Sequence, residues 1–323
     1  MDTITRRQIL SSSAAAAAGV GTVIAGFGCA GAQPPEPRSA AAPTASAGAA
    51  LRGGSFIRTR DGAELFHLDW GTGAPVVFLH AWALNTEIWG YQMNELVEHG
   101  LRCVGYDRRG HGRSSAPGRG YDFDTLADDL AAVLDQLDLR GVTLVGHSMG
   151  GGEIARYLSR HGTRRIARVV LTSAITPLVA KRPDYPEGTD RRVYEAIIAG
   201  LKKDRPAALT GGVALFTGAH RDVSAATSQW LANQFLSASP RAVIECMRAI
   251  ADADFRPDLP AFTVPTLIIH GDADQLNPID KTGRRTAQAI RGAELKIYEG
   301  GPHGLVVTDK ERFTQDVLAY LRS

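Results

Sequence analysis

After about residue 30 the chain has no long apolar run, which excludes a membrane-spanning body. Charge of one sign is also missing. Lys and Arg number 36 against 34 Asp and Glu, a net +2. So balanced a chain is not built to take nucleic acid or an anionic membrane as its main partner. His and Cys are scattered without H-x-x-x-H or C-x-x-C spacing, so no metal is expected. There is no internal repeat. Cysteine is scarce, with three residues at Cys29, Cys103 and Cys246. Cys103 lies in an apolar run and Cys246 in a distant helical one, so two buried free thiols are expected rather than a disulfide.

The first 50 residues lack the pattern of a folded core. Arg6-Arg7, flanked by Thr5 and Ile9-Leu10, precedes an Ala/Ser/Gly/Val stretch that runs to Cys29. A basic start, an apolar middle and a small-residue end make a secretory signal, and the paired arginines resemble a twin-arginine export signal. Residues 1–32 are therefore expected to be removed near Ala32, giving an exported protein, periplasmic or extracellular. Cys29 offers a lipid anchor instead, but Gly26-Phe27-Gly28 before it poorly matches the aliphatic-small-small motif. Residues 33–50 are Pro, Ala, Ser and Gly, too poor in bulky apolar groups to offset ordering entropy, and form a tether.

The folded domain is placed at 51–323, with its first strand near Ser55. Asp61-Gly62 between Ser55–Thr59 and Glu64–Trp70 predicts a hairpin. Short apolar runs follow at Val76–Leu79, Leu101–Tyr106, Val142–Val145, Ala167–Leu171, Thr266–Ile269 and Glu294–Tyr298. Such runs read as buried parallel strands. Helical patterns lie between them at Glu87–His99, Thr125–Asp138, Met149–Arg160, Lys281–Ile290 and Lys310–Leu321. The alternation predicts an α/β fold with a mostly parallel, doubly wound sheet. It is interrupted from about 177 to 250, where helical patches such as Arg191–Lys202 and Thr227–Leu236 predict a helical cap inserted after the sixth strand. Ligands of such sheets bind outside the carboxyl ends of the strands, so the cap would roof the site.

Val142–Val145 runs into Gly146-His147-Ser148-Met149-Gly150, a strand, then G-x-S-x-G, then a helix. That turn lifts the serine hydroxyl above the sheet and aims a helix N-terminus at the site. Neither G-x-G-x-x-G nor Gly-Lys-Ser/Thr occurs at this turn, which argues against a dinucleotide or phosphate loop. A serine needs a base, and in this arrangement acid and base follow it in the chain. His67, His99, His161 and His220 lie in ordinary surface or helical contexts, His80 and His111 precede the serine, and His147 is inside the turn. His270 leads into a carboxylate loop. His303, in Gly300-Gly-Pro-His-Gly304 after the last strand, is the expected base. The acid lies in His270-Gly-Asp272-Ala-Asp274. Asp274 is the better placed, with Asp272 tying the loop together. After the sixth strand, Leu171–Thr176 holds no carboxylate to compete. Oxyanion donors are expected from the backbone N–H of Met149 and of Trp82, in the loop after Val76–Leu79.

Together these pieces resemble the bacterial aryl esterase and cofactor-free (non-haem) chloroperoxidase or perhydrolase group of the alpha/beta hydrolases. The matching segments are Tyr106-Asp-Arg-Arg-Gly-His-Gly-Arg-Ser114, Gly146–Gly151, Ala155-Arg-Tyr157, Pro183-Asp-Tyr-Pro186, Asp254-Phe-Arg-Pro257 and His270-Gly-Asp-Ala-Asp-Gln275. The resemblance implies an esterase for small aryl or alkyl esters, with Ser148, Asp274 and His303 as nucleophile, acid and base, water or hydrogen peroxide as acyl acceptor, and no cofactor. It implies an apolar acyl pocket of Ile175, Val179, Ile250, Leu276 and Val306, with Ala83 beside it. Two departures stand out. The family loop begins His-Gly, but here it is His80-Ala81, so a positive φ there would strain Ala81. Members named as chloroperoxidases carry Pro two residues later, where this chain has Ala83, so mainly an esterase with weak perhydrolysis is expected. A lactonase or C–C hydrolase keeps the same residues, and a non-catalytic ligand-binding protein is the reading from another class. A homo-oligomer is left open.

Overall fold

The turn at Asp61-Gly62 folds β1 (Phe56–Arg58) onto β2 (Glu64–Trp70), antiparallel with Phe56 opposite Phe66. Gly62 supplies the left-handed residue, φ +88°. The structure, a computed structural model, describes residues 55–219 and 222–323. The expected export signal at 1–32 with Cys29, the tether at 33–50, the first residues of the 51–323 domain and His220 lie outside the described residues.

The chain continues through β3 (Pro75–Leu79), a 3-10 turn at Thr86–Trp89, α1 (Gly90–Glu98), β4 (Arg102–Tyr106), α2 (Phe123–Gln136), β5 (Val142–His147), α3 (Met149–His161) and β6 (Ile166–Thr172). Among the described residues five α-helices and a 3-10 turn (Leu259–Ala261) follow before the next strand, the helices being α4 (Arg191–Lys203), α5 (Arg205–Thr210), α6 (Val213–Thr217), α7 (Ala225–Ser237) and α8 (Pro240–Asp252). Then come β7 (Thr266–Gly271), α9 (Gly283–Ala289), β8 (Glu294–Tyr298), α10 (Leu305–Thr308) and α11 (Lys310–Arg322). The eight strands lie in the order β1-β2-β4-β3-β5-β6-β7-β8. Pairing is parallel from β4 to β8 and antiparallel at β1 and β2.

Side-chain alternation divides the core into two layers. Val77, Leu79 and Leu144 pack with Leu126, Leu130, Val133 and Ile154 of α2 and α3. Val76, Phe78 and Val145 face the other way, onto Met93, Leu96, Phe313 and Val317 of α1 and α11. Covered on both faces, the central strands read as unbroken apolar runs. β3 and β5 are neighbours, with Leu79 opposite Gly146, although β4 lies between them in sequence. The strand order reverses here, and the loops leaving the carboxyl ends of β3 and β5 come together.

Two local expectations change. The single helix expected at Glu87–His99 is a 3-10 turn followed by α1, because the Asn85 side chain accepts the Glu87 N–H and starts the turn there. The insertion holds more helix than its two clearest patches suggest. Asp204 caps α5 and Ser239 caps α8, each with Pro in the first turn. Cys103 and Cys246 are buried and unbonded, and burial pushes both thiols up to about 12.

Candidate active site

β5 ends at His147 and α3 begins at Met149, so Ser148 alone makes the turn, with φ 54° and ψ −112°. Such a backbone costs about 1–3 kcal/mol and persists only where its surroundings enforce it. Here the Ser148 N–H donates to the Thr172 carbonyl on β6 (2.9 Å), and its carbonyl accepts from Gly151 (3.0 Å) and Ile175 (3.3 Å). The flanking glycines are steric requirements. A Cβ on Gly150 would stand 2.5 Å from the Leu79 carbonyl oxygen, and one on Gly146 would stand 2.6 Å from Ile154 Cδ1. The 13-residue α3 starts at Met149, so its positive dipole end lies beside Ser148.

His303 and Asp274 meet on the loops after β8 and β7. His303 Nδ1 donates to Asp274 Oδ2 at 2.8 Å. The other carboxylate oxygen accepts the backbone N–H groups of Leu276 (2.9 Å) and Asn277 (2.8 Å). Burial alone would raise the Asp274 carboxyl, but His303 and His270 beside it hold it well below the usual carboxylate range. An ionised Asp274 keeps the proton on His303 Nδ1 and leaves Nε2 free to accept one. His147 of the elbow donates its Nε2–H to the His303 carbonyl (2.9 Å), linking the serine turn to the His303 loop. Asp272 is exposed, and its Oδ1 accepts the Gly300 N–H (2.6 Å), tying the loop after β7 to the loop after β8.

The loop after β3 places its left-handed residue away from Ala81. Ala81 has no left-handed backbone; the strained residue is Ala83, φ +60°. The left-handed residue of this loop therefore sits two residues after Ala81, directly after Trp82. The Trp82 indole N–H donates to the Val243 carbonyl on α8 (2.9 Å), which fixes its side chain against the helical insertion.

The aliphatic residues implied as pocket lining fall into both core layers. Ile175 and Ile250 are buried in one, with Val179 packed against it. Ala83 and Val306 are buried in the other. Trp82 packs against both layers and so marks their seam. Leu276 is 44% exposed and joins neither. Several contacts near these loops were not anticipated. His270 donates to the Asn277 carbonyl (2.8 Å) and lies 3.4 Å from Asp274 Oδ2. Asn277 in turn donates to the Ser173 carbonyl (2.8 Å), and the Phe216 ring of α6 meets the His303 ring edge-on, centroids 5.8 Å apart. Arg108 and Glu153 form a buried ion pair behind the β3 loop. A charge two residues after a strand and a Glu inside a Gly-rich helix start were their sequence signals.

Known proteins resemble this chain along nearly the whole domain. The non-heme chloroperoxidase CPO-A1 of Kitasatospora aureofaciens is 46% identical over 269 residues, covering 81% of this chain and 98% of that protein. The bifunctional esterase/perhydrolase DCH of Acinetobacter calcoaceticus is 36% identical over 274 residues, covering 83% and 99%. The solved esterase of Exiguobacterium antarcticum superimposes with a TM-score of 0.81 at 38% identity, covering 84% of this chain and 100% of that one. The family model described as alpha/beta hydrolase fold matches residues 74–310. With the reversed strand order and the serine elbow between β5 and α3, these matches show that the chain belongs to the alpha/beta hydrolase family.

Proposed function

We propose that this enzyme is a serine esterase that cleaves small aryl or alkyl esters through an acyl-enzyme on Ser148. The observation that carries the reading is the His303–Asp274 pair, bonded at 2.8 Å and linked through His147 to a strained serine turn. Ser148 attacks the ester carbonyl while His303 Nε2 takes its proton. The tetrahedral oxyanion rests on the backbone N–H groups of Trp82 and Met149. His303 returns the proton to the departing alcohol, then deprotonates the water that frees the acid. The esterase and esterase/perhydrolase names of two relatives support this reading. A fluorophosphonate probe should label the wild type and leave Ser148→Ala unlabelled. A wild type that binds an ester yet resists the probe would instead be a ligand-binding module. An ester panel that includes lactones and C–C substrates separates the reactions that share these residues.

Hydrogen peroxide as acyl acceptor is the second reading, favoured by the haloperoxidase and perhydrolase names among the relatives. Ala83 is the position that weighs against it. Proline fixes φ near −65°, whereas Ala83 stands at +60°. Ala83→Pro cannot keep this backbone and must turn the Trp82–Ala83 peptide. Aryl acetate hydrolysis should fall and the ratio of peracid formation to hydrolysis should rise by about tenfold, a change of about 1.4 kcal/mol in relative barrier. A wild type that already makes peracid from acetate and peroxide faster than it cleaves an aryl acetate would overturn the esterase emphasis.

A further inference from the structure

The two oxyanion donors of the proposed reaction come from separate segments. Trp82 belongs to the loop after β3, and Met149 begins α3. Nothing in a β-sheet by itself fixes the distance between a loop and a neighbouring helix start to a few tenths of an ångström. Yet a donor that drifts by about 1 Å can lose about 10²-fold in rate.

Arg108, two residues past β4, lies between those segments and is 1% exposed. Its Nη2 donates to the His80 carbonyl at 2.6 Å, and its Nη1 reaches the Ala81 carbonyl at 3.4 Å. Its backbone N–H donates to His80 Nε2 (2.9 Å). That nitrogen must therefore be unprotonated, and the Nδ1–H donates to the Ala81 carbonyl (2.8 Å). Burial, with Arg108 beside it, holds the His80 pKa well below the usual value, which keeps this tautomer neutral. On its other side the Arg108 Nε–H bonds the Glu153 carboxylate, which also accepts from the Tyr106 hydroxyl at 3.3 Å. Glu153 is on α3, four residues after Met149, and is itself 1% exposed. Burying both charges is expensive, and a well-packed apolar pair often serves stability as well or better. Stability alone is thus a weak reason for this pair.

We propose that the Arg108–Glu153 ion pair is a positioning brace, which clamps the His80–Ala83 loop to α3 and so fixes the two oxyanion donors relative to each other. The brace touches no substrate atom. It acts through the carbonyls of the two residues just before Trp82 on one side and through the nucleophile helix on the other. The inference rests on the esterase reading, because only an oxyanion demands that spacing.

The test uses Arg108→Lys, Glu153→Gln and the double variant Arg108→Met/Glu153→Leu, which removes both charges together and leaves none buried alone. Rates are expressed per site titrated with a fluorophosphonate, so unfolded molecules do not count. For Glu153→Gln and the double variant kcat should fall by about 10²-fold with KM within threefold. The affinity for phenylboronic acid, whose serine adduct carries a tetrahedral oxygen in the oxyanion position, should fall with kcat rather than with KM. Arg108→Lys keeps the charge and recovers part of the loss. If the double variant holds wild-type kcat per titrated site, or if boronate affinity is unchanged while kcat falls, the brace is overturned. A wild type that cannot be titrated overturns the esterase reading instead, and the two failures are distinct.

Discussion

Replacing His303 by Ala should lower kcat by about 10⁶-fold, the scale on which removal of a nucleophile's base disables a serine hydrolase. The imidazole is needed in both halves of the proposed cycle. Without it Ser148 keeps its proton, the alkoxide leaving group receives none, and water is not activated for deacylation. What remains should still exceed the uncatalysed rate by about 10³–10⁴-fold, because oxyanion donors and substrate contacts persist. The fold should survive. Asp274, left without His303, keeps two backbone N–H partners and His270 at 3.4 Å. A denaturant titration should show a loss of no more than about 1–3 kcal/mol. Fluorophosphonate labelling should slow in parallel with turnover. A variant that retains a tenth of wild-type kcat would remove His303 from the reaction and return attention to His270.

How much of this was legible in the chain differs between the parts of the site. The elbow was, because its requirements are local. Gly146 and Gly150 must lack side chains where Leu79 and Ile154 press in, and that need is written as G-x-S-x-G between an apolar run and a helix. The central strands were legible for a related reason, since burial on both faces leaves only apolar residues. The helical insertion was visible as a gap in the strand pattern but not in its detail. Pro240 follows the Ser239 cap and Pro206 stands one residue beyond the Asp204 cap, after Arg205, so these prolines open helices instead of breaking them.

The conformation of the β3 loop could not be read from the chain, for a physical reason. Its conformation is not set by its own residues. Ala81 and Ala83 are equally poor candidates for a left-handed backbone, and bonds from Arg108, Trp82 and His80 decide between them. The same holds for the buried charges. Arg108 with Glu153, and Arg109 with Asp129, pair across 45 and 20 residues. Hydropathy periodicity marks each of these charges as surface, because an unpaired charge belongs there. Only the tertiary fold supplies the partners that make their burial tolerable.

Asp274→Asn should lower kcat by about 10⁴-fold, and the neighbouring hydrogen bonds say why so small a change has so large an effect. Oδ1 accepts two backbone N–H groups, from Leu276 and Asn277, at 2.9 and 2.8 Å. In the amide only the carbonyl oxygen can take that position. The NH₂ group is then forced into the place of Oδ2, facing His303 Nδ1. Two donors cannot share that contact, so the imidazole proton moves to Nε2, the nitrogen that in the proposed cycle must be empty to receive the Ser148 proton. Shape and volume are kept, so KM should change little, and the loss should appear in kcat. Acid stability supplies a second readout. The Asp274 carboxyl titrates well below its usual range in the folded protein. Its ionised form therefore adds stability above the unfolded value of about 4, and that contribution is lost as pH falls through the folded value. The stability curve of Asp274→Asn should be flatter than that of the wild type on the acid side. Asp272→Asn is the control. Its side chain is exposed and accepts one N–H, from Gly300, which an amide oxygen can still accept. Its kcat should stay within about threefold of wild type. If Asp272→Asn proves the more damaging of the two, the carboxylate that orients His303 has been assigned to the wrong residue of the loop.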